Sequence, residues 1–483
     1  MALLPSSPRI RAAILFCIVF VVGYGSFASR PGTQYRLVRA DDAPSRPLGA
    51  HSPPVDVTQH RPVRAGALAP PRPLGGHSPL VDVILPDVPQ VPEASEIKVS
   101  PWQTLTRKAL RALFLCIDAN TCQKNQEKVI IVETMYFRTD MAGHIGGEEI
   151  WANSTMLAMN NLGYTVLYAE DMMEAAQMYR MIPNLVKIVI ANDWDVFACW
   201  KDKRRCVQSA ENPTGIPDYK MFSFYFWPGP NNPLGPKWVL SPEPYYLEPG
   251  IEINTTYLGY SIEHACALTE FVPVEARVNQ AWILAKLLSY IDQSPWTTAD
   301  YDTISRYTGL RYALGARLHD GETASPAWPL PREYANHVPT DKAAFMRRIA
   351  QSKVLIGIGN PVVSPTPWDA LCLGVPFINP LHTWDAEHPE ETTKWRGQHA
   401  FVSMVGKPYV YNVRRNDNGG FVRAVRDAVA TPIGSYVPER MRMSAVEGRL
   451  DEIVNHDWET EAKKQAEWCH EPCGCRQPCD MAK

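Results

Sequence analysis

From about residue 104 onward, apolar runs alternate with amphipathic ones, and each run predicts an element. TLTRKALRALFLCI at Thr104–Ile117 spaces its apolar positions as a helix does. VIIVE at Val129–Glu133 is a continuous apolar run, the mark of a strand buried on both faces. A helix over Glu148–Leu162, a strand over Tyr164–Ala169, a helix over Asp171–Arg180 and a strand over Leu185–Ala191 follow. Strands alternating with helices predict a parallel sheet with right-handed crossovers. Cys199–Gly259 is rich in aromatics, Pro and loops, and predicts no regular element. Ala281–Tyr290 opens a second half with the same alternation. It continues as a helix over Lys342–Ala350, strands over Val354–Ile356, Val375–Ile378 and Tyr409–Val413, and a helix over Gly420–Ala430. A polar helix over Arg449–Gln465 ends the pattern. The expected class is α/β: a half at 101–274, a half at 275–440 facing it across a cleft, and a helix with a Cys-rich tail at 441–483. A single larger sheet is the alternative.

The first hundred residues read differently. Arg9 and Arg11 close a short tail at 1–11, and an uncharged apolar stretch at 12–29 is long enough to span a thin bilayer. It is expected to be an uncleaved signal anchor. A cleaved signal peptide competes, because Ser26-Phe27-Ala28 has the small-x-small form of a cleavage site. Either way the bulk of the chain enters the lumen of the secretory pathway. Residues 30–100 are Pro-rich and lack core residues, so they predict an extended stem. RPLGAHSPPVDV at Arg46–Val57 recurs as RPLGGHSPLVDV at Arg72–Val83, and two copies are too few for a solenoid. The net charge of −3 over 483 residues suggests no nucleic-acid partner. Ten of the 11 cysteines lie beyond the apolar stretch, an even set suited to disulfides in an oxidising compartment.

Candidate chemistry gathers in Lys353–Asn379. Gly357-Ile358-Gly359 follows a strand and lets the backbone approach another group closely. Asn360–Thr366 is a turn, and Pro367 suits the first residue of a helix running Trp368–Leu373 and stopping at Gly374. A helix start there would offer free N–H groups and a positive dipole end to a diphosphate, and Asp369 could reach a ribose hydroxyl. A strand–loop–helix unit without a ligand is the plain alternative. Glu148 and Glu149 open a helix after a Gly-rich loop at a strand's carboxyl end, where open α/β sheets carry their sites. Acidic residues at a helix start also merely complement the dipole. Asp193-Trp194-Asp195 has the Asp-x-Asp form that can hold a divalent cation. Cys469, Cys473, Cys475 and Cys479 suit disulfides better than zinc in a lumen. Asn254 heads a plausible glycosylation site, whereas Asn153 sits on the predicted helix beside Glu148.

GIGNPVVSPTPWDALCLGVPFINP resembles the donor loop of the α-1,6-mannosylglycoprotein 6-β-N-acetylglucosaminyltransferases, glycosyltransferase family 18. Trp238-Val239-Leu240-Ser241-Pro242 and Tyr257-Leu258-Gly259-Tyr260 are similar to further family stretches. The resemblance implies a GT-B fold of two Rossmann-like domains in a Golgi type II membrane protein. It implies inverting, metal-independent transfer of N-acetylglucosamine from UDP-GlcNAc to O6 of an α-mannose on an N-glycan. Counting back from Leu162-Gly163-Tyr164 puts the family's catalytic glutamate at Glu148. Donor contacts then fall to Gly357, Gly359, Ser364, Pro365, Asp369, Asn379 and Lys394. Trp238, Tyr245 and Tyr246 become acceptor contacts by stacking on sugar faces. The match departs where the family's donor-loop glutamate is Asp369, where its phosphate-binding lysine has no counterpart clearer than Lys394, and across Glu275–Val338. Two alternatives stay open: a metal-using transferase relying on Asp193 and Asp195, and a glycan-binding member without catalysis.

Overall fold

The computed structural model describes residues 100–318, 329–338 and 341–470. The expected anchor, the stem with its duplicate, and Cys473, Cys475 and Cys479 lie outside these residues, as does the side chain of Cys469. Among the described residues no helix is long and apolar enough to cross a membrane.

The first lobe opens with helix α1 (Pro101–Asp118), entered through a capping box in which Ser100 and Gln103 each hold the other's backbone N–H. The lobe's sheet comprises β1 (Val129–Val132), β2 (Thr165–Tyr168), β3 (Val186–Ala191), β4 (Met221–Phe224), β5 (Val239–Ser241) and β6 (Thr256–Tyr257). Their order is β2-β1-β3-β4-β5-β6 and every pairing is parallel. Helices α2 (Met135–Met141), α3 (Gly147–Asn161), α4 (Met172–Met181) and α5 (Asp193–Lys201) connect the early strands. Strands β4 to β6 fall inside the stretch whose pattern predicts nothing regular. They are four, three and two residues long, too short to show a period.

A short connector, α6 (Glu263–Ala267), leads into the second lobe. Its strands are β7 (Gln280–Leu284), β8 (Arg311–Leu314), β9 (Tyr334–Asn336), β10 (Val354–Gly357), β11 (Phe377–Thr383), β12 (Arg396–Gly397) and β13 (Val410–Arg414). The parallel strands run β9-β8-β7-β10-β11-β13, with β12 antiparallel on β11. Counted from β7 this is the 3-2-1-4-5-6 order of a doubly wound nucleotide-binding sheet. Its switch point lies between β7 and β10, and in the first sheet the reversal lies between β1 and β3. Helices α7 (Thr298–Thr308), α8 (Lys342–Ala350), α9 (Thr366–Cys372), α10 (Ala400–Ser403) and α11 (Asn418–Ala430) complete the lobe.

The single polar helix expected over Arg449–Gln465 is two helices, α12 (Met443–Asn455) and α13 (Trp458–His470). Asp457 makes the break, its carboxylate accepting from the N–H and hydroxyl of Thr460. Both helices return to the first lobe. The Tyr164 hydroxyl donates to Asp451 at 2.5 Å and Lys128 to Asn455 at 2.6 Å, while Trp458 packs edge-on against Phe222. One apolar cluster joins Ile130, Trp151, Phe224 and Trp238 of the first lobe to Leu355, Trp368 and Phe377 of the second. Three disulfides occur among the described residues: Cys116–Cys122, Cys199–Cys206 and Cys266–Cys372.

Candidate functional site

The donor-type loop leaves β10 at the second sheet's switch point. A Cβ on Gly357 would stand 2.4 Å from Gln398 Oε1 and 2.7 Å from Pro380 Cδ, so only glycine fits. Gly359 takes a φ of +100°, and its N–H donates to Gln398 Oε1 at 2.9 Å. Gln398 Nε2 donates to the Pro361 carbonyl, and Trp296 Nε1 to that of Gly357 at 2.7 Å. The loop is thus braced from beneath by Gln398 and Trp296.

Helix α9 begins one residue before Pro367, at Thr366, with Pro365 as its N-cap. This start does not offer the free N–H groups expected of it. Pro365 and Pro367 have none. The N–H groups of Trp368 and Asp369 donate to the Pro365 carbonyl, and that of Thr366 to Ser364 Oγ at 3.3 Å. What the turn presents is hydroxyls: Ser364 Oγ lies half-buried, 3.2 Å from Thr366 Oγ1. Charge for an anion must come from side chains. Lys286, exposed just past the carboxyl end of β7, stands on the other side of the switch point. Its signal in the sequence was a lone cation inside the apolar run AWILAKLLSY.

Glu148 lies in the first turn of α3, half-buried. A Cβ on the preceding Gly147 would stand 3.4 Å from Pro365 Cδ and 3.2 Å from Phe226 Cζ, so this helix start abuts the donor-type loop of the other lobe. Burial raises the Glu148 carboxyl above the ordinary range, its own backbone N–H lowers it, Glu149 raises it and Lys286 lowers it. Glu149 is directed elsewhere, accepting from the Thr139 hydroxyl of α2 at 2.9 Å.

Several expected contacts are corrected by their burial. Trp238 and Tyr245 have no exposed surface, and Trp238 Nε1 and the Tyr245 hydroxyl donate to the carbonyls of Tyr219 and Phe226. They are core residues and cannot stack on a bound sugar; Tyr246 alone of the three is exposed. Asn379 is enclosed in the sheet, its amide bonded to Asn412, to the His399 carbonyl and to the His399 N–H. Asp369 does not present its carboxylate to the surface, where a ribose hydroxyl would have to meet it: the carboxylate is buried and ion-paired with Lys342 of α8. Lys394 sits on an exposed turn near Asp385. Asp193 and Asp195 do open a helix at the end of β3, but Asn231 donates to the first and Asn192 to the second. Among the described residues the group with metal-type spacing is Asp385, His388 and Glu391, a surface cluster.

Sequence reasoning missed a buried hub. Glu243, following β5, accepts from Tyr260 at 3.1 Å, from Trp368 Nε1 of α9 at 3.2 Å and from Arg440 at 3.0 Å. Arg440 also lies over the Trp368 ring, 4.9 Å from its centroid. A residue of the first lobe thereby fixes the helix that carries the donor-type loop.

The α-1,6-mannosylglycoprotein 6-β-N-acetylglucosaminyltransferase A of Rattus norvegicus and that of Homo sapiens are each 20% identical over 293 residues, covering 55% of this chain and 37% of the relative. The B enzyme of Homo sapiens is 23% identical over 137 residues, 26% of this chain and 17% of its own. The chain spans about a third of the length of the curated relatives it matches. Similar solved structures include the trehalose-6-phosphate synthase OtsA, 12% identical with a TM-score of 0.32, and an α-glucosyltransferase in complex with UDP and DNA, 10% identical with a TM-score of 0.35. Each match covers 70% of this chain and 98% or more of the other. The model of glycosyltransferase family 18 matches residues 218–476, more than half of the chain, and this protein therefore belongs to glycosyltransferase family 18.

Proposed function

We propose that the protein transfers N-acetylglucosamine from UDP-GlcNAc to O6 of an α-linked mannose of an N-glycan, with inversion and without a metal. The acceptor O6 gives its proton to the Glu148 carboxylate as the oxygen attacks the anomeric carbon. The bond from that carbon to the diphosphate breaks on the opposite face, and UDP leaves. Lys286 and the hydroxyls of Ser364 and Thr366 meet the negative charge that builds on the departing diphosphate. The observation that carries this reading is the close approach of Gly147 to Pro365, where a Cβ on the glycine would stand 3.4 Å from the proline ring, with Glu148 the next residue. The charge coupling of Glu148 to Lys286 across the two lobes supports it. A Golgi type II protein, anchored through residues 12–29 with its globular part in the lumen, is the setting we propose; three disulfides in the described residues support an oxidising compartment.

The test is an assay of purified protein with a panel of UDP-sugars and a mannose-terminated N-glycan, with and without a chelator. Turnover with UDP-GlcNAc that survives the chelator, and falls about 10²–10⁴-fold in Glu148→Gln, is expected. No turnover with any UDP-sugar, or a fully active Glu148→Gln, overturns the proposal; loss on chelation restored by Mn²⁺ overturns its metal-free form.

A further inference from the structure

The sequence holds three Asn-x-Ser/Thr triplets, the pattern that accepts an oligosaccharide in the secretory pathway: Asn153-Ser154-Thr155, Asn212-Pro213-Thr214 and Asn254-Thr255-Thr256. Proline in the middle position removes the second. The fold separates the other two. A linked glycan hangs on the side-chain nitrogen of Asn and is bulky, so the folded protein must leave that nitrogen unengaged and facing water.

Asn153 fails both conditions. It lies within α3, half-buried, and its Nδ2 is the atom that donates to Asp140 Oδ2 of α2 at 2.9 Å. The rest of its triplet is interior. The Ser154 hydroxyl accepts from the Ser261 N–H at 2.7 Å, and the fully buried Thr155 hydroxyl donates to the Trp151 carbonyl at 2.9 Å. A sugar on Asn153 would break the bond to Asp140 and wedge α3 away from α2. Asn254 meets both conditions. It stands exposed in the connection between β5 and β6, and among the described residues its side chain makes no hydrogen bond. Its neighbours are anchored. The buried Thr255 hydroxyl donates to Ser241 Oγ at 2.9 Å, and that of Thr256 to the Lys237 carbonyl at 2.6 Å. The Thr256 hydroxyl is the third member of the triplet and is engaged in the folded protein, so the triplet must be read before β6 seats on β5.

We propose that Asn254 carries an N-linked oligosaccharide and that Asn153 carries none. The Asn254 Nδ2 forms a bond to the anomeric carbon of a lipid-diphosphate oligosaccharide. The bond from that carbon to the diphosphate breaks, the lipid diphosphate leaves with the electron pair, and Nδ2 gives up one proton. A transferase of the host's secretory pathway performs this step, not the protein itself. Strand β6 pairs with β5 alone and ends the first sheet. A glycan two residues before it hinders edge-to-edge pairing with a second copy. The inference rests on the lumenal setting proposed above and not on the transfer reaction, and its test lets the site and the setting fail separately.

The full chain is expressed in a eukaryotic secretory host, and the wild-type protein is treated with a peptide N-glycosidase in heavy-oxygen water. This leaves a labelled aspartate wherever a glycan was attached, and it needs no variant to fold. Mass spectrometry is expected to find the label in the peptide bearing residue 254 and not in the peptide bearing residue 153. On a gel the treated protein is expected to lose the mass of one glycan. Asn254→Gln and Thr256→Ala should lack that shift, and Asn153→Gln should keep it. Protease protection in intact microsomes reads the compartment independently of the glycan. A protected protein with a bare Asn254, or with label at Asn153, overturns the inference and leaves the lumenal setting standing. A protein open to the protease overturns both. Gel filtration tests the consequence for the sheet edge: the enzymatically deglycosylated protein should show a larger aggregated fraction. An unchanged profile with the glycan mapped to Asn254 keeps the site and removes its shielding role.

Discussion

Besides burial, which raises it most, the Glu148 carboxyl feels two charges of opposite sign: Glu149, which raises it, and Lys286, which lowers it. In the proposed role Glu148 must be ionised to accept a proton, so activity should fall as pH drops through its raised pKa. Glu149→Gln removes the repelling charge and should move the acid limb of the kcat/KM profile to lower pH. Lys286→Met removes the attracting one and should move the limb up while also lowering kcat. A limb that stays put in both variants would mean that another group governs it. Glu133, just past β1, gives a prediction for stability. Burial, with Asp195 adding to it, pushes its carboxyl from 4.5 to about 8, and the Asn192 N–H donates to it at 3.3 Å. Because the native state holds this proton and the unfolded chain releases it above about pH 4.5, stability drains as pH rises from there toward 8. Glu133→Gln should therefore match the wild type near pH 4 and exceed it by on the order of 4 kcal/mol at pH 8, as read by urea melts at both values. At this scale the sequence told polar from apolar but not buried from exposed. Trp238, Tyr245 and Tyr246 look alike in a string, and only the sheet beneath them makes two of them core.

Helix α9 shows the same limit one level up. Its place after a strand and a Gly-x-Gly turn was legible, because glycine, proline and an apolar run each constrain the backbone locally. Which N–H groups remain free was not, because it depends on Ser364 Oγ, the Pro365 carbonyl and two prolines acting together. Strands β4 to β6 were illegible for a related reason: they are held by neighbours in the sheet rather than by any period of their own. The hub at Glu243 belongs to this scale too, since it joins β5, α9 and the turn carrying Arg440. Removing one partner of a buried charged pair leaves the other uncompensated. Glu243→Ala should cost about 3–5 kcal/mol in chemical denaturation, and, because Trp368 loses its acceptor, should also raise KM for the UDP-sugar. A variant that melts like the wild type would show that the hub carries no energy.

The two lobes are joined by more than the connector between them. The cluster running from Ile130 to Phe377 spans both, α12 and α13 return from the second lobe to the first, and Glu243 and Arg440 join them in the interior. Cys266–Cys372 adds a covalent tie between the connector α6 and the last residue of α9, across 106 residues of sequence. Closing a loop of that length removes entropy from the unfolded chain worth about 4–5 kcal/mol. The paired Ser variant at Cys266 and Cys372 should lose about that much stability. The loss should be specific in place: if the tie helps to seat α9, hydrogen exchange should quicken in α9 and in the loop before it, while β1 to β3 keep their protection. Uniform loosening of the first sheet as well would mean that the bond acts on the unfolded chain alone and leaves the seating of the donor-type loop to Gln398, Trp296 and Glu243.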